Sequence, residues 1–199
     1  MFFWSESWGG EACFIADFGP TFYYKNDNQK DQVFNTISFP SLSDVLAKPL
    51  STLPSRHFPL SSTYVKFRLL QRLRSVIAYV YYILYYKLYL LIISYMSMLC
   101  VYCICYREAG ITEGSDRAHI ATIATAFFTS HGLDTNYLTS EDIHRLLPVS
   151  LSVLVTTCSI LGSFLTQEVI KAVSRAGVPG YNVFVFSSYD YVCKAFPIN

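Results

Sequence analysis

The densest chemistry in the sequence is a run of three thiols, Cys100-Val-Tyr-Cys103-Ile-Cys105. Thiolates bind zinc, but a closed structural site needs four ligands in tetrahedral array. No second cysteine pair and no His-x-x-x-His stands at a suitable spacing, so the run reads as cysteines within an apolar stretch. The other thiols (Cys13, Cys158, Cys193) and the four imidazoles (His57, His119, His131, His144) fall in no recognisable nucleophile arrangement. Cys158 lies on an apolar helical pattern and is read as core, and a buried thiol far from a cation is inert because the thiolate is the reactive form. Neither Gly-x-Gly-x-x-Gly nor Gly-x-x-x-x-Gly-Lys-Ser/Thr occurs, so no loop cradles phosphate, and Gly9-Gly10 is a turn at most. The sequence therefore assigns no catalytic, cofactor-binding or metal-binding residue.

Composition narrows the class. With 199 residues and 52% apolar content, the chain can bury the core of one ordinary domain or most of one. Charged residues make up only 15%, against about 25% in an average soluble domain. A net charge of +1 argues against bulk attraction to nucleic acid. No signal-peptide pattern opens the sequence and no Asn-x-Ser/Thr sequon occurs, so free thiols in a reducing compartment are expected.

The elements that would position these groups follow from punctuation and period. Met1-Phe2-Phe3-Trp4 reads like the interior of a domain entered midway. Cys13 to Gly19 is a short apolar run stopped by Gly19-Pro20 and predicts a strand, which Thr21 to Tyr24 continues after a turn. Lys25 to Gln32 is a polar loop, and Gln32 to Phe39 alternates in part like a strand. Ser41 is placed to cap a helix, with Asp44 three residues on. Ser51 to Ser62 is a Pro- and Ser-rich linker. Tyr64, Phe67, Leu70 and Leu73 then mark an amphipathic helix whose other face is basic through Lys66, Arg68, Arg72 and Arg74. Beyond residue 107, a helix is expected from Ser115, with Ile120, Ile123, Ala126 and Phe127 inward and His131-Gly132 as its stop. A short helix should span Thr139 to Leu147, and Pro148 should open a long apolar helix reaching about Ser174. That helix reads as apolar all round and buried. Gly177 to Gly180 breaks it. Two strands, over 182–186 and 189–196, should close as a hairpin about Ser187-Ser188.

Residues 76–106 stand apart. They hold one charge, Lys87, and nine tyrosines among 31 residues. A bilayer span needs about 20 apolar residues, so hydropathy alone reads a transmembrane helix, with its basic amino-terminal flank in the cytoplasm. A Tyr-, Ile- and Leu-dominated run is also what translated AT-rich non-coding sequence looks like, which makes a retained intron a second reading and a buried helix a third. The chain thus divides into 1–75, the apolar insert 76–106, and 107–199.

The stretch from Ile160 to Ser174 resembles the helix of ubiquitin-like activating enzymes, the ThiF family, that reads Gly-Gly-x-x-Ala-Gln-Glu-hydrophobic-hydrophobic-Lys. Gly162, Gln167, Glu168 and Lys171 match, while Ser163 replaces the second Gly and Thr166 the Ala. Pro148 stands where the family has the Pro that opens the helix. Pro179, Asn182, Phe184 and Phe186 resemble its Asn-x-Phe-x-Phe strand, although Ser187 stands where Asp often follows. Weaker segments in the right order resemble the non-catalytic subunit of the heterodimeric SUMO-activating enzyme: Phe2 to Gly19, Gln32 to Ala47, Tyr64 to Arg74, and Asp134 to Ile143.

The resemblance implies an α/β fold, the carboxy-terminal part of a ThiF-type activating-enzyme fold interrupted by the insert. It implies a nuclear protein that pairs with the catalytic subunit, meets SUMO indirectly and supports ATP-dependent sumoylation. ATP and magnesium would belong to the complete heterodimer, because the doubly wound nucleotide fold has no counterpart here, and the catalytic cysteine lies on the partner. Small residues such as Gly162 and Ser163 would admit a close neighbour, with Gln167, Glu168 and Lys171 at the wetter end. Two other readings are open: a regulatory subunit for ubiquitin or another modifier, and a small membrane protein with spans at 76–106 and perhaps 151–166.

Overall fold

The computed structural model describes residues 1–25, 34–53, 59–91, 115–150, 152 and 154–198. Its central sheet is decided by β2 (Glu11–Asp17). There Cys13 and Ile15 face one side, Ala12, Phe14 and Ala16 the other, and all five are buried. A strand apolar on both faces must be covered twice. β2 accordingly pairs with β1 (Phe2–Trp8) on one side and β5 (Val183–Ser187) on the other, and β6 (Val192–Phe196) completes the order β1-β2-β5-β6. Every pairing is antiparallel, with Ser5 opposite Phe14, Phe14 opposite Phe184, and Phe184 opposite Ala195. Gly9, at φ +51, turns the chain from β1 into β2. β3 (Phe22–Lys25) and β4 (Phe34–Ile37) form a separate antiparallel pair.

Helices cover one face of the sheet: α1 (Leu42–Ala47), α2 (Ser62–Leu91), α3 (Ser115–Ser130) and α4 (Ser140–Ser150). The other face carries α5 (Val155–Ser174) and the β3–β4 pair. This is a mixed α/β protein with antiparallel sheets. Ser41 caps α1 as expected, its Oγ accepting from Asp44 N at 3.2 Å. α2 buries Tyr64, Val65, Phe67, Leu69, Leu70 and Leu73. At about 1.5–3 kcal/mol per fully buried side chain, these contribute on the order of 10 kcal/mol before chain entropy, so packing holds this helix.

Several expectations are corrected. Pro148 does not open the long helix; it lies in the last turn of α4. Its missing N–H removes the bond to the carbonyl of His144 and helps end α4 at Ser150. The long helix starts only at Val155, behind Leu154. It is not buried all round: Thr157, Leu161, Glu168 and Ala172 face the protein, while Val155, Ile170 and Val173 are exposed. Phe127 is buried as expected, but Ala126 is exposed, and Ala124 and Phe128 fill the core in its place. Tyr189 to Tyr191 form the β5–β6 turn, with Tyr191 at φ +51, and β6 starts only at Val192.

α2 is continuous from Ser62 to Leu91, across the start of the apolar run at residue 76. Residues 92–106 of that run lie outside the described residues, as do Cys100, Cys103, Cys105, His57 and most of the polar loop 25–32. Among the described residues, no helix is long and apolar enough to cross a membrane.

Candidate functional site

α5 carries most of the residues singled out in the sequence, and its C-terminal half is built around Glu168. This carboxylate is buried, not at a wet helix end. Its Oε2 accepts the Gly180 N–H at 2.7 Å, and its Oε1 accepts from Lys171 Nζ at 2.7 Å. A Cβ on Gly180 would lie 3.0–3.1 Å from the carboxyl group, so glycine is what lets the loop approach. The helix itself ends at Arg175, which adopts the left-handed conformation with its N–H on Lys171 O at 2.8 Å. Arg175 O then accepts from Lys25 N at 2.8 Å, and Gly177 N donates to Lys25 O at 2.9 Å, tying the helix end to β3.

The next residues extend the same clamp. Buried Asn182 accepts the Ile198 N–H at 2.8 Å and donates to Ile198 O at 2.9 Å, holding the segment after β6 against the start of β5. Phe184 stacks on Phe14 at 5.0 Å between centroids and meets Phe164 of α5 at 4.5 Å. Glu168, Lys171, Gly180, Asn182 and Phe184 therefore share one structural task, fixing α5 and the chain after it onto the sheet. Gln167 stays exposed, and among the described residues nothing lies within 4 Å of a Cβ built on Gly162. The outward side of α5 runs along Val155, Ser159, Ser163, Thr166, Ile170 and Val173, all exposed.

On the opposite face of the sheet the polar groups are structural. Buried Glu11 accepts from Trp8 Nε1 at 3.1 Å, Thr63 Oγ1 at 3.2 Å and Lys66 Nζ at 3.2 Å. Arg74 pairs with Glu6. Arg68 departs from the expected basic face: it is buried, donating to the carbonyls of Val45 and Leu46 at the end of α1 and to Tyr64 Oη. Cations suit helix C-termini, which explains its inward turn. Burial pushes the Tyr64 phenol up to about 12 despite the opposing pull of Arg68. Burial, with Arg68 adding, lowers the affinity of His131 for a proton.

The thiols are dispersed. Cys13 is buried and desolvation pushes it far above the ordinary thiol range, which leaves it unreactive. Cys158 is half-buried, 3.2 Å from Ser7 Oγ, and Cys193 is exposed. Among the described residues, no three His, Cys, Asp or Glu side chains converge as metal ligands would. Among the described residues the sheet is antiparallel, unlike the parallel sheet of a doubly wound nucleotide fold.

A cavity of about 400 Å³ opens between the first turn of α5 and the β5–β6 turn, lined by Thr156, Thr157, Ile160, Phe186, Ser188 and Tyr191. Sequence reasoning named Phe186 on its strand but missed the cavity. The β-hairpin reading had straightened Tyr189 to Tyr191, so the wall they supply was not visible. Arg68 and Glu11 were missed as core groups because helical spacing and turn position alone do not report an inward partner.

No protein-family model matches the sequence, and no curated relative is found for it. What fold and site define is a class: a mixed α/β protein in which one long helix, clamped by a buried glutamate, presents an open face.

Proposed function

We propose that this chain is a non-catalytic, partner-binding subunit of a SUMO-activating enzyme, acting in the nucleus through α5. The observation that carries the proposal is the combination on one helix of Gly162, Gln167, Glu168 and Lys171 with an outward side that is left uncovered by the described residues. Glu168 and Lys171 account for the inner side of the matched segment, through Gly180. Open space at Gly162 and exposed Val155, Ile170 and Val173 suit the close approach of a second protein. Adenylation and thioester chemistry belong to the catalytic partner in this reading, and without the nucleotide fold the pair formed with this chain does not adenylate SUMO.

The test is co-expression with the catalytic subunit of a SUMO-activating enzyme, followed by purification on a tag carried by that subunit. The expected result is a stoichiometric complex that Val173→Asp and Ile170→Asp abolish, with no ATP–pyrophosphate exchange above the level of the catalytic subunit alone. Failure of the parent chain to co-purify refutes the pairing, and robust exchange refutes the claim of inactivity. Capture instead by the catalytic subunit for another ubiquitin-like modifier reassigns the modifier.

A further inference from the structure

β1 is one edge of the central sheet and, among the described residues, pairs only with β2. Which of its backbone groups face outward follows from that partner. Ala16 N donates to Asn182 O at 2.8 Å, on the β5 side of β2, so it points away from β1. Opposed residues of an antiparallel pair either exchange their bonds or both turn away. Phe3 opposes Ala16 and Ser5 opposes Phe14, so the N–H and C=O groups of Phe3 and Ser5 point outward from the sheet. Among the described residues no hydrogen bond reaches them, and Ser5 is exposed. The edge is closed at its far end, where Gly9 N donates to Ser152 O at 2.9 Å.

Exposed edges normally carry a guard against further pairing: a lysine, a proline, a bulge or brevity. The opposite edge, β6, is short, carries exposed Lys194 and is followed directly by Pro197. β1 has no such guard. Its residues, Phe-Phe-Trp-Ser-Glu-Ser-Trp, include no Lys, Arg or Pro, and they pair with β2 in unbroken register from Phe2 to Trp8. Its one charge, Glu6, is already paired with Arg74. Such an edge accepts another strand, and the pattern of β1 fits β1 itself. Turning a second copy about a two-fold axis at Trp4 places Phe3 opposite Ser5 and Ser5 opposite Phe3, which matches every outward group of both residues. Trp4 then meets Trp4 of the second copy in a pair without hydrogen bonds, the closer kind, where aromatic side chains stabilise a sheet. The Trp4 ring is only half-buried, edge-on to Phe67 at 5.5 Å. Glu6 falls opposite Phe2, which is 52% exposed, so like charges do not meet.

We propose that the chain forms a two-fold dimer by antiparallel pairing of β1 with β1 of a second copy, centred on Trp4 and held by the N–H and C=O groups of Phe3 and Ser5. The interface is isologous, so it closes at two copies. It uses none of the outward residues of α5, so dimer formation and partner binding there succeed or fail separately. The test is sedimentation of the full chain over about 1–300 μM, a range that brackets the affinities of small interfaces, together with amide hydrogen exchange at both ends of it. A monomer–dimer equilibrium is expected, with the Phe3 and Ser5 amides exchanging more slowly as the dimer forms. The Trp4 and Glu6 amides point at β2 and should be protected at every concentration. Ser5→Pro should weaken the dimer about tenfold or more, since it removes one donor from each copy while leaving the β1–β2 ladder whole. Circular dichroism checks that this variant folds; where it does not, the exchange pattern of the parent chain decides. A chain that stays monomeric throughout, a dimer that survives unchanged in folded Ser5→Pro, or species that grow beyond two copies would each overturn the proposal. So would protection of the Phe3 and Ser5 amides in the monomer, because the edge would then have an occupant within its own chain. Concentration-dependent protection confined to Ile170 and Val173 would also overturn it, by moving the contact to α5.

Discussion

Replacing Glu168 by Gln isolates the clamp between α5 and the loop before β5. The substitution keeps the shape of the side chain but removes its charge and turns one oxygen into a donor. One acceptor can still face Gly180 N–H; the new NH₂ must then face the Lys171 ammonium, donor against donor. Hydrogen bonds to a charged group contribute about 1.5–3 kcal/mol. The Lys171 arm is partly exposed, with 32% of its side chain accessible, so its share is discounted for solvent screening to about 0.5 kcal/mol or less. The burden falls on the Gly180 bond, and Glu168→Gln should cost about 2 kcal/mol, while Lys171→Met should cost a quarter of that. In a chain of 199 residues each kcal/mol moves Tm by about 2–4 °C, so the expected losses are about 4–8 °C and no more than about 2 °C. Urea unfolding followed by circular dichroism gives the same comparison through its midpoints. If Lys171→Met destabilises as much as Glu168→Gln, the carboxylate serves the ion pair and not the loop, and the reasoning fails.

Three other perturbations follow from the same geometry. Asn182→Ala removes both bonds to Ile198 and should cost about 2–3 kcal/mol, read as faster hydrogen exchange at Ile198 and its neighbours. The Tyr64 phenol, raised from 10.0 to about 12, stays protonated in the fold where the unfolded chain ionises, so stability should fall as pH rises from about 10 to 12, by a few kcal/mol at most; Tyr64→Phe should flatten that slope. His131 works in the opposite sense: with its folded affinity for protons lowered, the unfolded state binds the proton first, so stability should decline as pH drops below about 6.5, and His131→Asn should remove that part of the decline in urea midpoints taken from pH 7.5 to 5.

Local signals in the sequence were reliable where one interaction decides the outcome. Ser41 and Asp44 specify the start of α1 because a cap is a contact between neighbours. Gly19-Pro20 ends the run containing β2, and Tyr64, Phe67, Leu70 and Leu73 all face inward on α2. The mixed α/β character was legible for the same reason. Distant partners were not legible. Nothing near Arg68 in the sequence announces the carbonyls of Val45 and Leu46, and nothing near Glu168 announces Gly180. Pro148 misled because proline suits the first turn of a helix, and only the packing of Ile143, Leu146 and Leu147 reveals that the preceding helix continues through it. The apolar sequence of α5 suggested complete burial, whereas a single helix layer over the sheet leaves its far side uncovered. Of the candidate site, the matched helix could be read, but the cavity at its start could not, since it depends on how the β5–β6 turn bends.

The pairing of β2 with β5 has a consequence for how the molecule is made. Glu11 sits opposite Ser187 and Ile15 opposite Val183, partners about 170 residues apart. On the ribosome β2 is finished long before its central neighbour exists, and until then the edge that β5 will occupy is unpaired. Closing so long a loop slows folding far more than it weakens the product, because the entropic cost of closure grows only with the logarithm of length. Extra residues between α2 and α3 therefore tax the finished sheet by less than about 1 kcal/mol, while they lengthen the time the nascent chain depends on chaperones.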